Sequence, residues 1–297
     1  MWMFFLTFYF QYPNLHKSLA LASFFIPSVV FWGSGLLKDT VTLACLGMAT
    51  YLIYELFIRK RFKLFYAVVL VLCGYTLYVI KIYILLNFLP MAIIWIFLAN
   101  LKMVRSPVAK ALISPFILVV AAGLSFYALV KAGEDNQKYS LEKIAETAKV
   151  TAYDIRYWTG RDAGSGYSLG DLDGSFNSML KLAPQAINVS LFRPYIWEVK
   201  NPLMLLSALE SLVLLAIVIF LIFRRNVHIL QSLTNPNVLC CLVFSVTFAF
   251  AVGVSTFNFG TLVRYKIPLL PFFAVSLILI NHYSKSERKL EEFDSTE

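Results

Sequence analysis

Residues 203–223 read LMLLSALESLVLLAIVIFLIF, which is 21 residues with a single charged side chain, Glu210. A helix needs about 20 apolar residues to cross the hydrocarbon core of a bilayer. The rest of the 297-residue chain has the same character, because 59% of it is hydrophobic and only 14% is charged. A soluble domain carries about 25% charged residues. The sequence therefore predicts an all-α integral membrane protein.

Similar apolar segments predict a polytopic bundle of about eight transmembrane helices. They cover residues 19–37, 41–58, 64–80, 83–100, 111–131, 203–223, 237–257 and 267–283. The two segments within 64–100 also fit one kinked element. Residues 1–11 are too short to span and lack the basic start and cleavage site of a signal peptide. We expect them to be the end of a helix whose beginning is missing, in an N-terminally truncated chain.

These segments divide the chain into four regions. We expect N-terminal transmembrane helices in residues 1–131, an extracytoplasmic loop region in 132–201, C-terminal transmembrane helices in 202–283 and a cytoplasmic charged tail in 284–297. Within the loop region, residues 141–155 place apolar side chains at helical spacing opposite Glu142, Lys143, Glu146 and Lys149. That pattern is typical of an amphipathic helix lying in the membrane interface.

The net charge of +9 reports topology rather than a nucleic-acid partner. The basic clusters fall at every second boundary between spans, as the positive-inside rule requires. They are His16-Lys17, Arg59-Lys60-Arg61-Lys63, Lys102/Arg105/Lys110, Arg224-Arg225 and Lys285/Arg288/Lys289. We therefore expect these clusters on the cytoplasmic side, and residues 37–40, Lys81, 132–201 and 257–266 on the outer side.

The outer side carries cations against this bias, which predicts an anionic ligand there. Arginine suits a phosphate bidentately and lysine adds a point charge. The predicted substrate-binding residues are Arg264, Lys266, Tyr265, Arg193, Lys38, Trp32, Lys81 and Trp197. The alternative is that Arg264 and Lys266 reach lipid headgroups or pair with Asp39 and Glu198.

Helix-breaking residues occur beside these cations. Pro27 with Gly33-Ser34-Gly35, and Pro268 with Pro271, interrupt two predicted spans. Irregular backbone at membrane depth is tolerated where it lines a cavity. Glu210 lies about two turns inside its span, and an ionisable group at that depth is a functional hypothesis in itself.

A basic, aromatic-edged cavity suits a lipid-linked sugar diphosphate. Cations would stabilise the leaving diphosphate, aromatic rings would cover sugar faces, and a carboxylate would act as general base. The predicted catalytic residues are Asp39 and Glu198, with Asp171 and Asp173 as further candidates. The spacing of the four cysteines fits no metal or disulfide pattern, and Asp171-Leu-Asp173-Gly lacks the other ligands of a calcium loop. We therefore expect no cofactor and no bound metal, with a divalent cation left open.

Three stretches carry a resemblance to a known group of proteins: PSVVFWGSGLLKDT, LFRPYIWEVKNPLMLLSALESL and NFGTLVRYKIPLLPFF. Together they resemble bacterial polysaccharide-assembly proteins, namely the GT-C superfamily of membrane glycosyltransferases and the O-antigen polymerases. The resemblance implies a polyprenyl-linked glycan as donor, on the outer face of the bacterial cytoplasmic membrane. GT-C enzymes usually have an acidic catalytic residue after their first span, a part this chain is expected to lack. In polymerases the outer-face arginines are important, which points to Arg193 and Arg264.

Two other functions remain open on the sequence. One is a flippase or transporter of an anionic lipid-linked glycan, for which the two interrupted spans would be a matched pair of broken helices. The other is a non-catalytic membrane subunit that docks through residues 132–201. The sequence fixes neither the oligomeric state nor the sugar.

Overall fold

The computed structural model of the protein describes residues 1–101, 141–154, 165–170, 173–224 and 229–294, and within these ranges it contains helices and no strand. The helices are α1 Trp2–Tyr9, α2 His16–Phe24, α3 Pro27–Gly33, α4 Lys38–Ile53, α5 Leu64–Leu101, α6 Leu141–Asp154, α7 Phe176–Lys181, α8 Ala183–Phe192, α9 Pro202–Phe223, α10 Ile229–Ser232, α11 Pro236–Thr256, α12 Phe259–Tyr265 and α13 Leu269–Asp294. A π-helical turn at Tyr54–Ile58 continues α4, and short 3₁₀ turns lie at Pro13–Leu15 and Ile196–Glu198.

Four of the described helices are long and apolar enough to cross a membrane: α4 with its π-helical turn, α5, α9 and α11. Two further pairs pass the same test together, since α2 and α3 meet at 56° and α12 and α13 at 67°. The all-α membrane class is confirmed. With α5 counted once, the described part of the chain has four to six candidate spans by length and composition, so the predicted eight are not confirmed. The predicted span 111–131 lies outside the described residues.

Helix α5 contains both of the spans predicted at 64–80 and 83–100. Its one non-helical residue is Lys81, with φ −148° and ψ 75°. Lys81 pairs with Asp39 at the start of α4, whereas Asn100 donates to the carbonyl of Phe57 beyond the end of α4, at 3.1 Å. Because Leu64 also follows the end of α4 after a short connection, the two halves of α5 run in opposite directions along α4. The turn expected at Lys81 is therefore present, and it joins the two helical halves of α5 without an intervening loop.

Helix α11 is central, because α5, α8 and α13 all pack on it. Its Phe244 and Phe248 are fully buried, and the Phe244 ring lies 4.5 Å from that of Phe272 on α13. Lipid tails are as apolar as these side chains, so close van der Waals packing holds such helices together more than the hydrophobic effect does. The core thus fixes α11 and α13, the helices on either side of α12.

Part of the 132–201 region packs on the bundle. Helix α6 buries Ala145 and Ala148 and exposes Glu146 and Lys149, as its pattern predicts. Helix α8 approaches α11 so closely that a Cβ at Gly253 would lie 2.3 Å from the Ala186 carbonyl oxygen. Only glycine allows this approach, so the backbone of α8 is held against one end of the bundle.

Candidate functional site

The segments predicted to face outward meet at one end of the bundle, around the start of α4. Asp39 lies there with Lys81 at the turn of α5 and Arg264 in the last turn of α12. Helix α12 starts at a defined residue because the Asn258 side chain accepts hydrogen bonds from the Gly260 and Thr261 N–H groups, at 2.8 and 3.3 Å. That cap is typical of a helix N-terminus and orients the helix that carries Arg264.

Asp39 is the centre of this site. Its side chain is fully buried, and it accepts hydrogen bonds from Lys81 Nζ and, at 2.7 Å, from Arg264 Nε. A terminal nitrogen of Arg264 lies 2.7 Å from the same carboxylate oxygen. Two cations thus share one carboxylate, which leaves one positive charge in excess. The Lys81 side chain is 4% exposed but that of Arg264 is 33% exposed, so the arginine is the accessible cation.

Aromatic rings border both cations. The Arg264 guanidinium lies 5.1 Å from the centre of the Trp32 ring on α3. The Lys81 ammonium lies 5.1 Å from the Tyr265 ring and 5.8 Å from the Tyr83 ring. Cation–π contacts of this length stabilise a charge that has left water. We call Asp39, Lys81, Arg264 and these three rings the Asp39 cluster.

A second ion pair joins Arg193 and Glu198, between the end of α8 and the start of α9. Glu198 also accepts the backbone N–H of Tyr195 at 2.8 Å. Burial by itself would raise the pKa of Glu198, but the Arg193 and Tyr195 hydrogen bonds outweigh it and hold the pKa below its ordinary value of 4.5. Tyr195 stacks on the exposed Trp197 at 4.8 Å, and this group is the Arg193 cluster.

The two clusters lie at opposite ends of α12. Arg193 sits 5.2 Å from the ring of Phe259, the first residue of that helix, and Arg264 is near its last. Five residues of helix separate these positions by about 7.5 Å along the axis. This end of the bundle therefore presents two guanidinium groups, one at each end of a single short helix.

A third, deeper group contains Lys266 and Glu210. Lys266 is fully buried and donates to the Ser211 hydroxyl at 3.1 Å, and Ser211 donates to the Arg193 carbonyl at 3.2 Å. Glu210 accepts the Ser28 N–H and the Ser28 hydroxyl, both at 2.8 Å. Ser28 is in the first turn of α3, so Glu210 caps that helix where its backbone N–H groups are otherwise unpaired.

The structure thus gathers only some of the predicted residues in one place. Asp39, Lys81, Arg264, Tyr265 and Trp32 come together, whereas Arg193, Glu198 and Trp197 form the second cluster. Lys266 does not share the Asp39 cluster, since its ammonium points into the bundle. Lys38 begins α4 beside Asp39 with an exposed side chain. Asp173 lies exposed at a turn where it accepts the Ser175 N–H at 2.6 Å, and Asp171 is outside the described residues.

Three polar residues at this end had no assigned role in the sequence. Ser28 and Ser211 bind the buried carboxylate and ammonium, and Tyr167 donates to the Gly253 carbonyl at 3.0 Å. Ser28 follows Pro27 at a helix start, where an unpaired N–H is expected, and that position was the one available signal. Nothing in the sequence around Ser211 or Tyr167 distinguished them from other residues of their type.

The described residues contain no group of three His, Cys, Asp or Glu side chains placed to hold a metal ion. No protein-family model, no curated protein and no solved structure matches the chain. The resemblance to glycosyltransferases and O-antigen polymerases is therefore not tested by these comparisons.

Proposed function

We propose that the protein is a membrane-embedded glycosyltransferase or polysaccharide polymerase that acts on a polyprenyl-phosphate- or polyprenyl-diphosphate-linked sugar, at the outer face of a bacterial cytoplasmic membrane. The observation that carries this proposal is the Asp39 cluster. One buried carboxylate orients two cations and leaves a positive charge in excess. An anionic ligand would balance that charge.

Arg264 is the best placed residue to bind such a ligand. Its guanidinium has five N–H donors, of which Asp39 occupies part, and its side chain is one-third exposed. Lys81 is nearly buried and holds Asp39 in position, so it adds charge without direct access. In this proposal Arg264 binds a phosphate oxygen, and Trp32 and Tyr265 offer ring faces to the adjoining sugar.

The two predicted bases are both bound to cations. Asp39 would have to part from Lys81 or Arg264 before it could accept a proton, so we assign it a positioning role. Glu198 is partly exposed and depends on Arg193 alone among the described cations. A ligand phosphate that draws Arg193 away would free the Glu198 carboxylate, and its pKa would return toward the ordinary value. Glu198 could then act as general base on an acceptor hydroxyl.

A transporter of the same lipid-linked glycan is the second candidate. The specific observation in its favour is that both bent helix pairs meet, since Arg264 on α12 lies over Trp32 on α3. Paired broken helices around a binding site are common in transporters. Both candidate functions require the same anion site, and they differ in whether the protein forms a glycosidic bond.

The test returns variants to a strain from which the gene has been deleted. We expect Arg264→Ala and Arg193→Ala each to abolish glycan polymer while the protein still accumulates in the membrane, because one lost electrostatic contact of this kind costs about 100- to 1,000-fold in rate. The matched control is Lys200→Ala, which removes an exposed cation close to the Arg193 cluster. Normal polymer in both arginine variants would refute the proposal.

Sidedness labelling separates the two candidates. If the protein transfers sugar, the lipid-linked unit accumulates on the outer side of the Arg264→Ala strain. If the protein transports, the unit stays on the cytoplasmic side.

A further inference from the structure

A long groove runs along the bundle beside the deeper polar group. It has a volume of about 630 Å³ and is bounded by α2, α9 and α13. Helices α2 and α9 both pack on α13 but make little contact with each other, so α13 forms the floor and the other two form the walls. The groove lies among helices that qualify as membrane spans.

The lining of the groove is almost entirely apolar. Helix α9 contributes one stripe of side chains at helical spacing, namely Leu206, Leu209, Glu210, Val213, Leu214, Ile217, Phe220 and Leu221. From residue 206 to 221 this stripe is about 22 Å long, most of the roughly 30 Å hydrocarbon core. Leu209 and Val213 remain 45% and 58% exposed, so the groove is open along its side.

The groove ends next to the candidate site. Its outward end contains Pro27 and Glu210, and Glu210 binds Ser28 at the start of α3. The same helix carries Trp32, which lies under Arg264. Five residues of α3 separate Pro27 from Trp32, or about 7.5 Å along the axis. A molecule whose apolar chain fills the groove would therefore bring its head within reach of Arg264.

We infer that the groove binds the isoprenoid chain of the phosphorylated lipid whose head occupies the Asp39 cluster. This inference rests on the proposed function and adds the place of the chain and its route of entry. The chain enters sideways from the bilayer, between α2 and α9. A chain already dissolved in lipid gains little hydrophobic free energy by moving between apolar surroundings, so the groove acts through van der Waals contacts along the chain, and these hold the head in position.

Binding is measured on the purified full-length protein in detergent, with two probes that share a phosphate headgroup and differ in the length of the isoprenoid chain. The probes are a long-chain polyprenyl phosphate and geranyl phosphate. We expect the long-chain probe to bind about tenfold more tightly than geranyl phosphate. Leu209→Trp or Val213→Trp should reduce the affinity for the long-chain probe to that for geranyl phosphate. The matched control is Leu212→Trp, because Leu212 is 43% exposed on the same helix but does not line the groove.

Photo-crosslinking separates this occupant from ordinary bilayer lipid. A polyprenyl phosphate with a diazirine near its chain end should label the groove-lining residues of α9 and α13, and unlabelled polyprenyl phosphate should compete. A phosphatidylcholine with the same diazirine should not give competable labelling there. Equal and uncompeted labelling by both lipids would refute the inference.

The two proposals fail in different ways. If Arg264→Ala weakens both probes but chain length and Leu209→Trp have no effect, the groove inference is wrong and the anion site stands. If Leu209→Trp reduces long-chain binding but Arg264→Ala changes neither probe, the groove binds a chain and the proposed head site is wrong. That second outcome overturns the inference as stated, because the groove would then serve a different lipid.

Discussion

The two ends of the bundle carry polar networks of similar extent and different charge balance. At the Asp39 end, one buried carboxylate is shared between Lys81 and Arg264. At the opposite end, the buried carboxylate of Glu55 binds a single cation, since Arg59 lies 2.6 Å away, one helical turn further on. The other cations of that end, Lys17, Lys60, Arg61 and Lys63, are exposed to solvent. The buried network there is neutral, since Asn237 bonds Trp95, Gln11 and Tyr12 at 2.7–2.9 Å.

The difference separates a structural network from a candidate binding site. The Asn237 network satisfies its donors and acceptors within the bundle, where it links α5, α11 and the segment after α1, so it requires no ligand. The Asp39 cluster has one positive charge in excess, and Arg264, the cation that carries it, is partly exposed. If this comparison is right, substitutions at Asn237 should lower the stability of the protein without changing ligand binding. Substitutions at the Asp39 end should change both.

The largest effect is expected from Asp39→Asn. This change keeps the shape of the side chain but leaves Lys81 and Arg264 without their carboxylate, and breaking a buried ion pair in this way costs about 3–5 kcal/mol. Unfolding of the purified protein in detergent would measure the loss. The double variant Asp39→Asn/Lys81→Met should recover part of it, because it removes one of the stranded cations. No recovery in the double variant would mean that Lys81 does not depend on Asp39.

A smaller effect is expected from Asn237→Leu at the opposite end. The substitution leaves Trp95 Nε1–H without its acceptor, and it removes the hydrogen bonds to Gln11 and Tyr12 in the segment after α1. Hydrogen bonds between membrane helices contribute about 0.6–1.7 kcal/mol each, so we expect a loss of about 1–2 kcal/mol in the same unfolding measurement. Polyprenyl phosphate binding should be unchanged. Weaker binding in this variant would contradict the separation of the two ends.

Topology made much of the Asp39 end predictable. Asp39, Lys81 and Arg264 are up to 225 residues apart in the chain, yet the alternation of basic clusters placed all three on one side. The pairing of Arg264 with Asp39 belonged to the alternative to ligand binding, and the structure contains that pair while leaving the arginine side chain one-third exposed. The side chain of Lys266 lies outside the Asp39 cluster because its backbone is in the break between α12 and α13, where the sequence does not determine side-chain direction.

The groove could not have been predicted from the sequence. Helix α9 is apolar on every face, so no periodicity marks the stripe that lines the groove. Which face turns toward α2 depends on how α9 rotates on α13, a result of packing rather than of local pattern. Glu210 was the one visible signal, and it marks a single position in the first third of the stripe rather than the face as a whole.

The smallest effect concerns the Arg193 cluster, in which one cation pairs with one carboxylate, as Arg59 and Glu55 do at the opposite end. Since the folded-state pKa of Glu198 is below 4.5, the Arg193–Glu198 pair contributes its full stability above that value and loses it as the pH falls through the folded-state pKa. The pair is partly exposed, so we expect Glu198→Gln to cost at most about 1 kcal/mol near neutral pH. The difference from the unsubstituted protein should vanish on acidification, as unfolding midpoints at several pH values would reveal. Glu146→Gln, at an exposed carboxylate on α6, is the matched control. A constant difference across the same pH range would mean that Glu198 stabilises the protein through its shape and its bond to Tyr195, rather than through charge.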